Sequence, residues 1–434
     1  TDYGESWELI TNGIPADDFT RVIRVDPARE GLLYAGTETG LYVSFDDGAN
    51  WRNFQLNLPV TSIHDLVITG NDLVAGTHGR SFWILDDLTP LHQLADDIAE
   101  KAATLLQPRT TERVLPKIFE GMFGGAPGKN YMDGLGIVAA YTELMTEENN
   151  PYKLLHDSGE NPPKGAVITY YLKDAPDEKI TLKLMDSDGA VLREFTSMDD
   201  DIRKAQAENK DAPKKEYIPA KAGWNRFVWN LRVEDATRLI DNDPQAGSVA
   251  GPHVPPGTYQ VALTVGDDTQ THSFDVVQDA FGKASQADLD EQYTLLLQIR
   301  EMLSQANGAV NTMRTMRSQL ESWASRNGES EGLAEEAQAL TEQILNIEKK
   351  FLVPNLKRGW PGMLNAGVQL IPQITSLPAV VAAGDYRPTD QSYDVYKMFA
   401  AKVSDYMEEL DELQSGSVAA FNQKVREQSV NVIG

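Results

Sequence analysis

The sequence predicts a multidomain protein in which β-structure precedes α-helices, and three observations support this. A repeat of about 40–45 residues opens the chain, short β-like runs with turn signals follow it, and apolar residues at helical spacing fill the remainder. The expected architecture is the last blades of a β-propeller (1–88), a connector (89–164), an immunoglobulin- or fibronectin-like β-sandwich (165–280) and an antiparallel helical bundle (285–434).

Two markers define the repeat. The run Leu33–Thr37 recurs forty residues later as Leu73–Thr77. The second marker has the form S-x-D-x-G-x-x-W, and three of its four residues also occur 44 residues earlier. These residues are Ser44, Asp46, Gly48 and Trp51, matched by Asp2, Gly4 and Trp7. Six β-like runs accompany the markers: 21–25, 32–35, 41–44, 63–68, 73–75 and 81–85.

A period of this length with four short strands is typical of a propeller blade. The second marker is expected between the third and fourth strands. There its Asp would accept hydrogen bonds from turn amides, its Gly would allow positive φ, and its Trp would pack under the turn. The chain holds one complete blade and parts of two others, whereas a propeller needs at least four. The remaining blades are therefore expected as partners, from the same protein or from another chain.

The later segments are predicted from turn signals and helical spacing. In the connector, Pro90–Leu106 and Ile137–Met145 are expected to be helical. Six short strand runs predict the sandwich, where Trp224 and Trp229 are expected on opposite strand faces. A capping box at Ser285 and Asp288 begins the first bundle helix, which runs to about 325. Later helices are expected at about 331–352, 391–413 and 418–427, with a crossing segment at 360–383.

Composition excludes several classes of function. The chain of 434 residues has 39 Lys and Arg against 65 Asp and Glu, which gives a net charge of −26. An acidic chain without basic clusters argues against nucleic acid as a partner. The absence of cysteine excludes disulfides, cysteine nucleophiles and zinc–thiolate sites. No apolar stretch is long enough to predict a membrane span, and no motif predicts a metal or a cofactor.

The runs GTETGLYVSFDDGANW and DLVAGTHGRSFWILDDLTPL, with AGWNRFVWNLR and PPGTYQVALTVG further on, resemble the large bacterial BNR-repeat (Asp-box) proteins. These are labelled glycosyl hydrolase-like or VPS10/sortilin-like, and the chain resembles their C-terminal part. The resemblance implies an extracytoplasmic propeller protein that is periplasmic, outer-surface or secreted. It leaves two functions open: a binding or scaffold module for protein or glycan, and a glycoside hydrolase with its catalytic carboxylates in other blades.

The candidate ligand contacts lie in the second copy of the repeat. His78 and Arg80 flank Gly79 in a predicted strand turn, where they could contact an anion or a sugar. The alternative role is a salt bridge of this turn to Asp86 or Asp87. His64 and Asp65 suggest acid–base chemistry, but neighbouring residues of a regular strand point to opposite faces. No catalytic residue is identified.

Overall fold

Strands occupy the first two thirds of the chain and helices the last third, so the predicted order of β-structure and then α-helices is confirmed. Among the residues that the structure describes, no helix combines the length and apolarity needed to cross a lipid bilayer. This computed structural model describes residues 3–114, 128–134, 137–148, 150–156, 159–199, 201–204, 215–240, 243–326, 332–354, 356 and 367–427.

Two antiparallel sheets come first, each with its strands in chain order. The first sheet consists of Thr20–Val25 (β1), Leu33–Thr37 (β2), Leu41–Ser44 (β3) and Arg52–Asn53 (β4). The second consists of Ile63–Thr69 (β5), Asp72–Thr77 (β6) and Phe82–Leu85 (β7). The strand runs predicted from the repeat are confirmed to within about two residues.

The repeat also appears in the backbone pairing. The register of β1 on β2 shifts between Thr20 and Val22, and that of β5 on β6 shifts between Ile63 and Asp65. Each shift marks a β-bulge, in which one extra residue is inserted in the first strand of the sheet. The bulged residues are Arg21 and His64, which therefore occupy equivalent positions of the two sheets.

The two sheets pack face to face around one apolar core. Tyr34, Leu41 and Val43 of the first sheet share this core with Leu66 and other residues of the second. The opposite face of the first sheet has a smaller core, which is built of Leu33, Ala35, Tyr42 and Trp51.

Repeat equivalence shows that each sheet leaves one face partly open. Leu41 and Val43 pack between the sheets, but their equivalents Phe82 and Ile84 are exposed on the far side of the second sheet. Conversely, Leu66 is buried in the shared core, whereas its equivalent Ile23 on the first sheet is exposed. The face that carries Leu41 is therefore covered in the first sheet, and the equivalent face of the second sheet is open. The face that carries Leu66 is covered in the second sheet, and the equivalent face of the first sheet is open.

The S-x-D-x-G-x-x-W turn lies between β3 and β4, as its position in the repeat predicts. The Asp46 carboxylate accepts hydrogen bonds from the Asn50 backbone N–H (2.8 Å), the Asn50 amide (2.7 Å) and the Ser44 hydroxyl (2.8 Å). These bonds, with the Asn50 amide first, hold the pKa of Asp46 below its usual value. Gly48 has a φ of +88° and donates its N–H to Ser44 Oγ, while Trp51 Nε1 donates to the Ile10 carbonyl.

The earlier copy of this turn has the same backbone form. Tyr3 and Gly4 have φ values of +56° and +89°, which match the +62° and +88° of Asp47 and Gly48. Trp7 is 91% exposed, whereas its equivalent Trp51 is 4% exposed. Asp2, the remaining residue of the earlier copy, lies outside the described residues.

The helices expected in the connector are wrong. Residues 90–106 form a helix only at Thr89–Gln93 (α1), a 3₁₀ turn at Ile98–Glu100 and a strand at Ala103–Leu105 (β8). Residues 137–145 form a strand that pairs with a neighbour on each side. The strand at 103–105 pairs with residues 170–172, and residues 137–145 pair with the segments just before and after them, so both strands depend on pairing that local apolar spacing does not reveal. This separate sheet consists of Gly128–Gly134 (β10), Ile137–Met145 (β11) and Pro151–Leu155 (β12).

Two further sheets enclose a common apolar core that includes Trp229, Tyr170 and Phe274. Trp224 is exposed, so the expectation that the two tryptophans face opposite sides is confirmed. Strand β8 and a strand at Thr111–Arg113 (β9) belong to these sheets, whose other strands come from residues after 165. The latter are Ala166–Leu172 (β13), Thr181–Met185 (β14), Val191–Thr196 (β15), Gly223–Trp229 (β16), Gly257–Val265 (β17) and Asp268–Gln278 (β18).

Helices follow and share one core. The capping box is confirmed, because Asp288 accepts from the Ser285 backbone N–H and hydroxyl while its own N–H donates to Ser285 Oγ. The predicted helices are found at Gln286–Arg326 (α2), Leu333–Phe351 (α3), Asp390–Leu413 (α5) and Ala419–Glu427 (α6). A π-helical turn at Gln414–Val418 joins the last two. Sequence analysis missed Leu370–Val381 (α4).

Helix α4 was hidden by its prolines. Pro372 lies in the first turn, where a backbone N–H has no partner within the helix, and Pro378 lies inside the helix. Leu370, Ile374 and Leu377 nevertheless keep helical spacing and pack in the helical core. Burial of this apolar stripe therefore outweighs the poor helix propensity of proline.

A buried acidic side chain ties the helices together. Glu348 of α3 accepts hydrogen bonds from Arg314 (2.9 Å) and Arg317 of α2. Arg314 also donates to Asp243, which precedes the helices in the chain (2.8 Å). Since Glu348 is only 1% exposed, this network compensates for its loss of solvation.

His253 lies half-buried where the two-sheet unit meets the helices, beside Arg232 in an isolated backbone bridge. Burial lowers the pKa of His253 from 6.5 to about 3, and the nearby Arg232 and Arg113 act in the same direction. The ring is therefore neutral in the folded protein at all ordinary pH values.

Truncating a side chain on a covered face should lower the free energy of unfolding more than truncating the equivalent side chain on an open face. Leu41→Ala should lower the free energy of unfolding by about 2–5 kcal/mol, because Leu41 is 2% exposed between the sheets. Phe82→Ala, at the equivalent and 77% exposed position, should change it by less than about 0.5 kcal/mol. Denaturant unfolding followed by circular dichroism measures both. Equal losses would contradict the assignment of faces.

His253 predicts a loss of stability in acid. The unfolded chain binds a proton at this residue below pH 6.5 while the folded chain does not, so stability should fall by about 2 kcal/mol from pH 7 to pH 5. His253→Gln should remove this slope, as measured by denaturant unfolding at several pH values. His156→Gln, at an exposed position, is the control. An unchanged slope in His253→Gln would refute the buried neutral ring.

Candidate functional site

The structure brings His64 and His78 together. Their ring centroids are 4.9 Å apart, and the planes are tilted by 32°. Ile63, the first residue of β5, pairs with Thr77, the last residue of β6, so both histidines lie near the same end of the sheet. The His78 N–H also donates to the Ser62 carbonyl (2.9 Å), which fixes the turn against the start of β5.

The bulge changes what His64 and Asp65 can do. Both side chains are exposed, and the bulge at His64 interrupts the regular alternation on which the expectation of opposite faces depends. Asp65 nevertheless pairs with the Arg24 guanidinium of β1 rather than with an imidazole, and its carboxylate also accepts from the Leu66 N–H (2.9 Å). The carboxylate is thus held by a cation of the neighbouring sheet.

The equivalent positions of the first sheet carry an ion pair. Arg21 and Glu38 approach to 2.6 Å, and they stand where the second sheet has His64 and His78. Ser62 Oγ donates to the same Glu38 oxygen (2.9 Å), so the two repeats are joined by hydrogen bonds. We call Arg21, Glu38, Ser62, His64 and His78 the turn cluster.

Electrostatics within the turn cluster favour a charged Glu38. Hydrogen bonds from Arg21, and then from Ser62, hold the pKa of Glu38 below its usual value. Sequence analysis missed Arg21 and Glu38. The available signal was their place in the repeat, 43 residues before His64 and 40 residues before His78.

Arg80 lies on the outer side of the same turn and is exposed. Its N–H donates to Thr77 Oγ1 (3.1 Å), and its carbonyl accepts from Trp83 Nε1 (2.9 Å). The Asp87 carboxylate, which the sequence offered as its partner, instead accepts from Thr89.

Asp86 is in a different environment from Arg80. Burial raises the pKa of Asp86, and the negative charge of Asp72 is the second cause of the increase. Arg109 pairs with Asp72 (3.0 Å). Within the described part of the chain, no salt bridge joins Arg80 to either of the two aspartates proposed from the sequence.

The turn cluster offers exposed hydrogen-bond donors and acceptors beside an aromatic ring. The Arg21 guanidinium lies over the ring of Phe19, 4.7 Å from its centroid. Such a surface can hydrogen-bond hydroxyl-rich or charged ligands and stack on their apolar faces. In the described ranges, no three or more His, Asp or Glu side chains come close enough to share a metal ion.

Comparisons with known proteins do not assign this chain to a family. A scan against protein-family models gives no match. A search of curated proteins likewise finds no sequence that matches it.

The turn cluster predicts how the carboxyl of Glu38 titrates. Arg21→Met should raise the pKa of Glu38 toward its ordinary value, and Ser62→Ala should raise it less, because the Arg21 hydrogen bond is the largest cause of the shift. Carboxyl-carbon NMR titration measures the change. Arg24→Met, which removes the neighbouring ion pair of Asp65, is the matched control. An unchanged pKa in Arg21→Met would contradict the cluster.

Proposed function

We propose that residues 1–88 are neighbouring blades of an Asp-box β-propeller and that the protein is an extracytoplasmic binding or scaffold module for a protein or glycan. In this proposal residues 165–280 form an immunoglobulin- or fibronectin-like sandwich, and residues 285–434 form an antiparallel helical bundle. Both are accessory to the propeller.

The pattern of open and covered faces carries the proposal. The face with Leu41 and Val43 packs on the next sheet, while the equivalent face with Phe82 and Ile84 has no neighbour among the described residues. A surface that is buried in one repeat and open in the next is complementary to another copy of the same repeat. We infer that further blades, from the same protein or another chain, cover the open faces.

The start of the first sheet supports the same inference. Ile23 and Val25 of β1 are exposed on the side that corresponds to the buried side of β5, and Trp7 and Leu9 are exposed as well. An apolar surface of this kind usually marks an interaction site. A preceding blade would cover it in the way that the first sheet covers the second.

The turn cluster supports binding rather than catalysis. Its ionised groups are already paired, since Glu38 is held by Arg21 and the nearby Asp65 by Arg24. A glycosidase needs two carboxylates about 5–10 Å apart across an open cleft, one of them free to act as an acid. Paired, exposed groups at the ends of adjacent strands suit recognition through hydrogen bonds.

A combined binding and turnover assay tests this function. The chain should be retained by particular members of a glycan array or by an immobilised protein partner, and His78→Ala with Arg80→Ala should weaken that retention. His156→Ala, at an exposed histidine outside the two repeat sheets, is the control. Hydrolysis of aryl glycosides by the chain would overturn a binding role. Retention that survives both turn substitutions would exclude this turn as the binding surface.

A further inference from the structure

A cavity of about 320 Å³ lies where the two-sheet unit meets the helices. Its walls come from the end of β9, the segments 232–236 and 248–253, helix α2, and helix α4 with the residues just after it. Arg113, Arg232 and Arg300 line it together with His253. Three guanidinium groups around one small cavity are unusual in a chain with a net charge of −26.

Two of these arginines are fixed by the protein. Arg113 is buried, donates from Nε to the Val254 carbonyl (3.0 Å) and pairs with Asp385. Arg232 donates from Nη1 to the Gly251 carbonyl (2.7 Å), and the negative charge of Asp235 acts on it.

Asp235 is shared among several partners. Its carboxylate accepts from the Gly251 N–H (3.2 Å) and pairs with Arg238 (3.0 Å) as well as facing Arg193 at 3.8 Å. It therefore neutralises Arg232 only in part. Burial lowers the pKa of Arg232, which reflects how strongly this guanidinium is desolvated.

Arg300 of α2 is the unsatisfied member. Its Nε atom is fully buried, and no hydrogen-bond acceptor for it is found among the described residues. Because this atom has almost no accessible surface, a ligand in the cavity would meet the terminal nitrogens of the Arg300 guanidinium, and no carboxylate of the described residues pairs with them. The ring of His253 is neutral and so adds no positive charge to that of the three arginines.

The rest of the lining is mostly apolar, with two hydroxyls. Ser248 and Thr375 supply the hydroxyl groups. The apolar part includes Val249, Leu296, Ile299, Leu303, Pro378 and Ala379. A cavity that combines an apolar wall with a few convergent polar groups is typical of a small-molecule site, and its volume lies at the small end of that class.

We propose that this cavity binds a small organic acid, with its carboxylate on Arg300 and Arg232 and its apolar body against Leu296, Ile299 and Val249. A guanidinium matches a carboxylate through two parallel hydrogen bonds. The apolar walls favour an organic anion over inorganic phosphate, since phosphate would leave them in contact with water. This site is independent of the turn cluster and of the proposed propeller.

Titration calorimetry on the whole chain tests the site with hexanoate and phenylacetate as probes. Both should bind saturably, and the neutral hexanamide should bind about tenfold more weakly or worse. Arg300→Met should weaken hexanoate binding by a similar factor. Arg326→Met, at an exposed position of the same helix, should leave it unchanged and serves as the matched control.

Several outcomes would overturn the proposal. They are no saturable hexanoate binding at millimolar concentration, equal binding of hexanamide, tighter binding of inorganic phosphate, or unchanged affinity in a folded Arg300→Met. If Arg300→Met does not fold, Ala379→Phe keeps every charge and places a bulky ring at the exposed rim of the cavity, where it should obstruct entry. Hexanoate binding that persists in folded Ala379→Phe would also refute the site. None of these outcomes bears on the propeller.

Discussion

The packing of one short β-sheet on another is the constraint on which the first part of the molecule depends. A sheet with apolar residues on both faces gains stability from each face that another element covers. In this chain the first sheet covers one face of the second through Tyr34, Leu41 and Leu66. The remaining faces, which carry Ile23 on one side and Phe82 on the other, are partly open. The same repeat thus explains both the stable core and the exposed apolar surface.

That packing also creates the candidate site. Because the two sheets repeat in register, their bulges and turns lie side by side, and Glu38 of one repeat reaches Ser62 of the next. The position that holds an ion pair in the first repeat holds two histidines in the second. The repeated backbone therefore fixes where the candidate site lies, while the different residues at equivalent positions of the two repeats give it its chemistry.

The later part of the chain is not built from this repeat. Here strands from distant parts of the sequence complete two sheets, and a charged network around Glu348 joins the first two long helices. The arginine-lined cavity lies at the meeting of these two units. A chain with a large negative charge thus places three of its arginines around a partly apolar pocket, where Coulomb interactions are stronger than in bulk water.

The sequence by itself determined the features whose hydrogen bonds close over a few residues. The turn at Asp46, the capping box at Ser285 and the long helix after it follow from short spacing alone. Only the tertiary structure decided the strands at 103–105 and 137–145, the proline-containing helix at 370–381 and the contact of His64 with His78. Each of these depends on a partner strand, a bulge or an apolar surface supplied by another part of the chain. The cavity that Arg300 lines likewise gives no local signal, because it is built by segments that meet only in the folded protein.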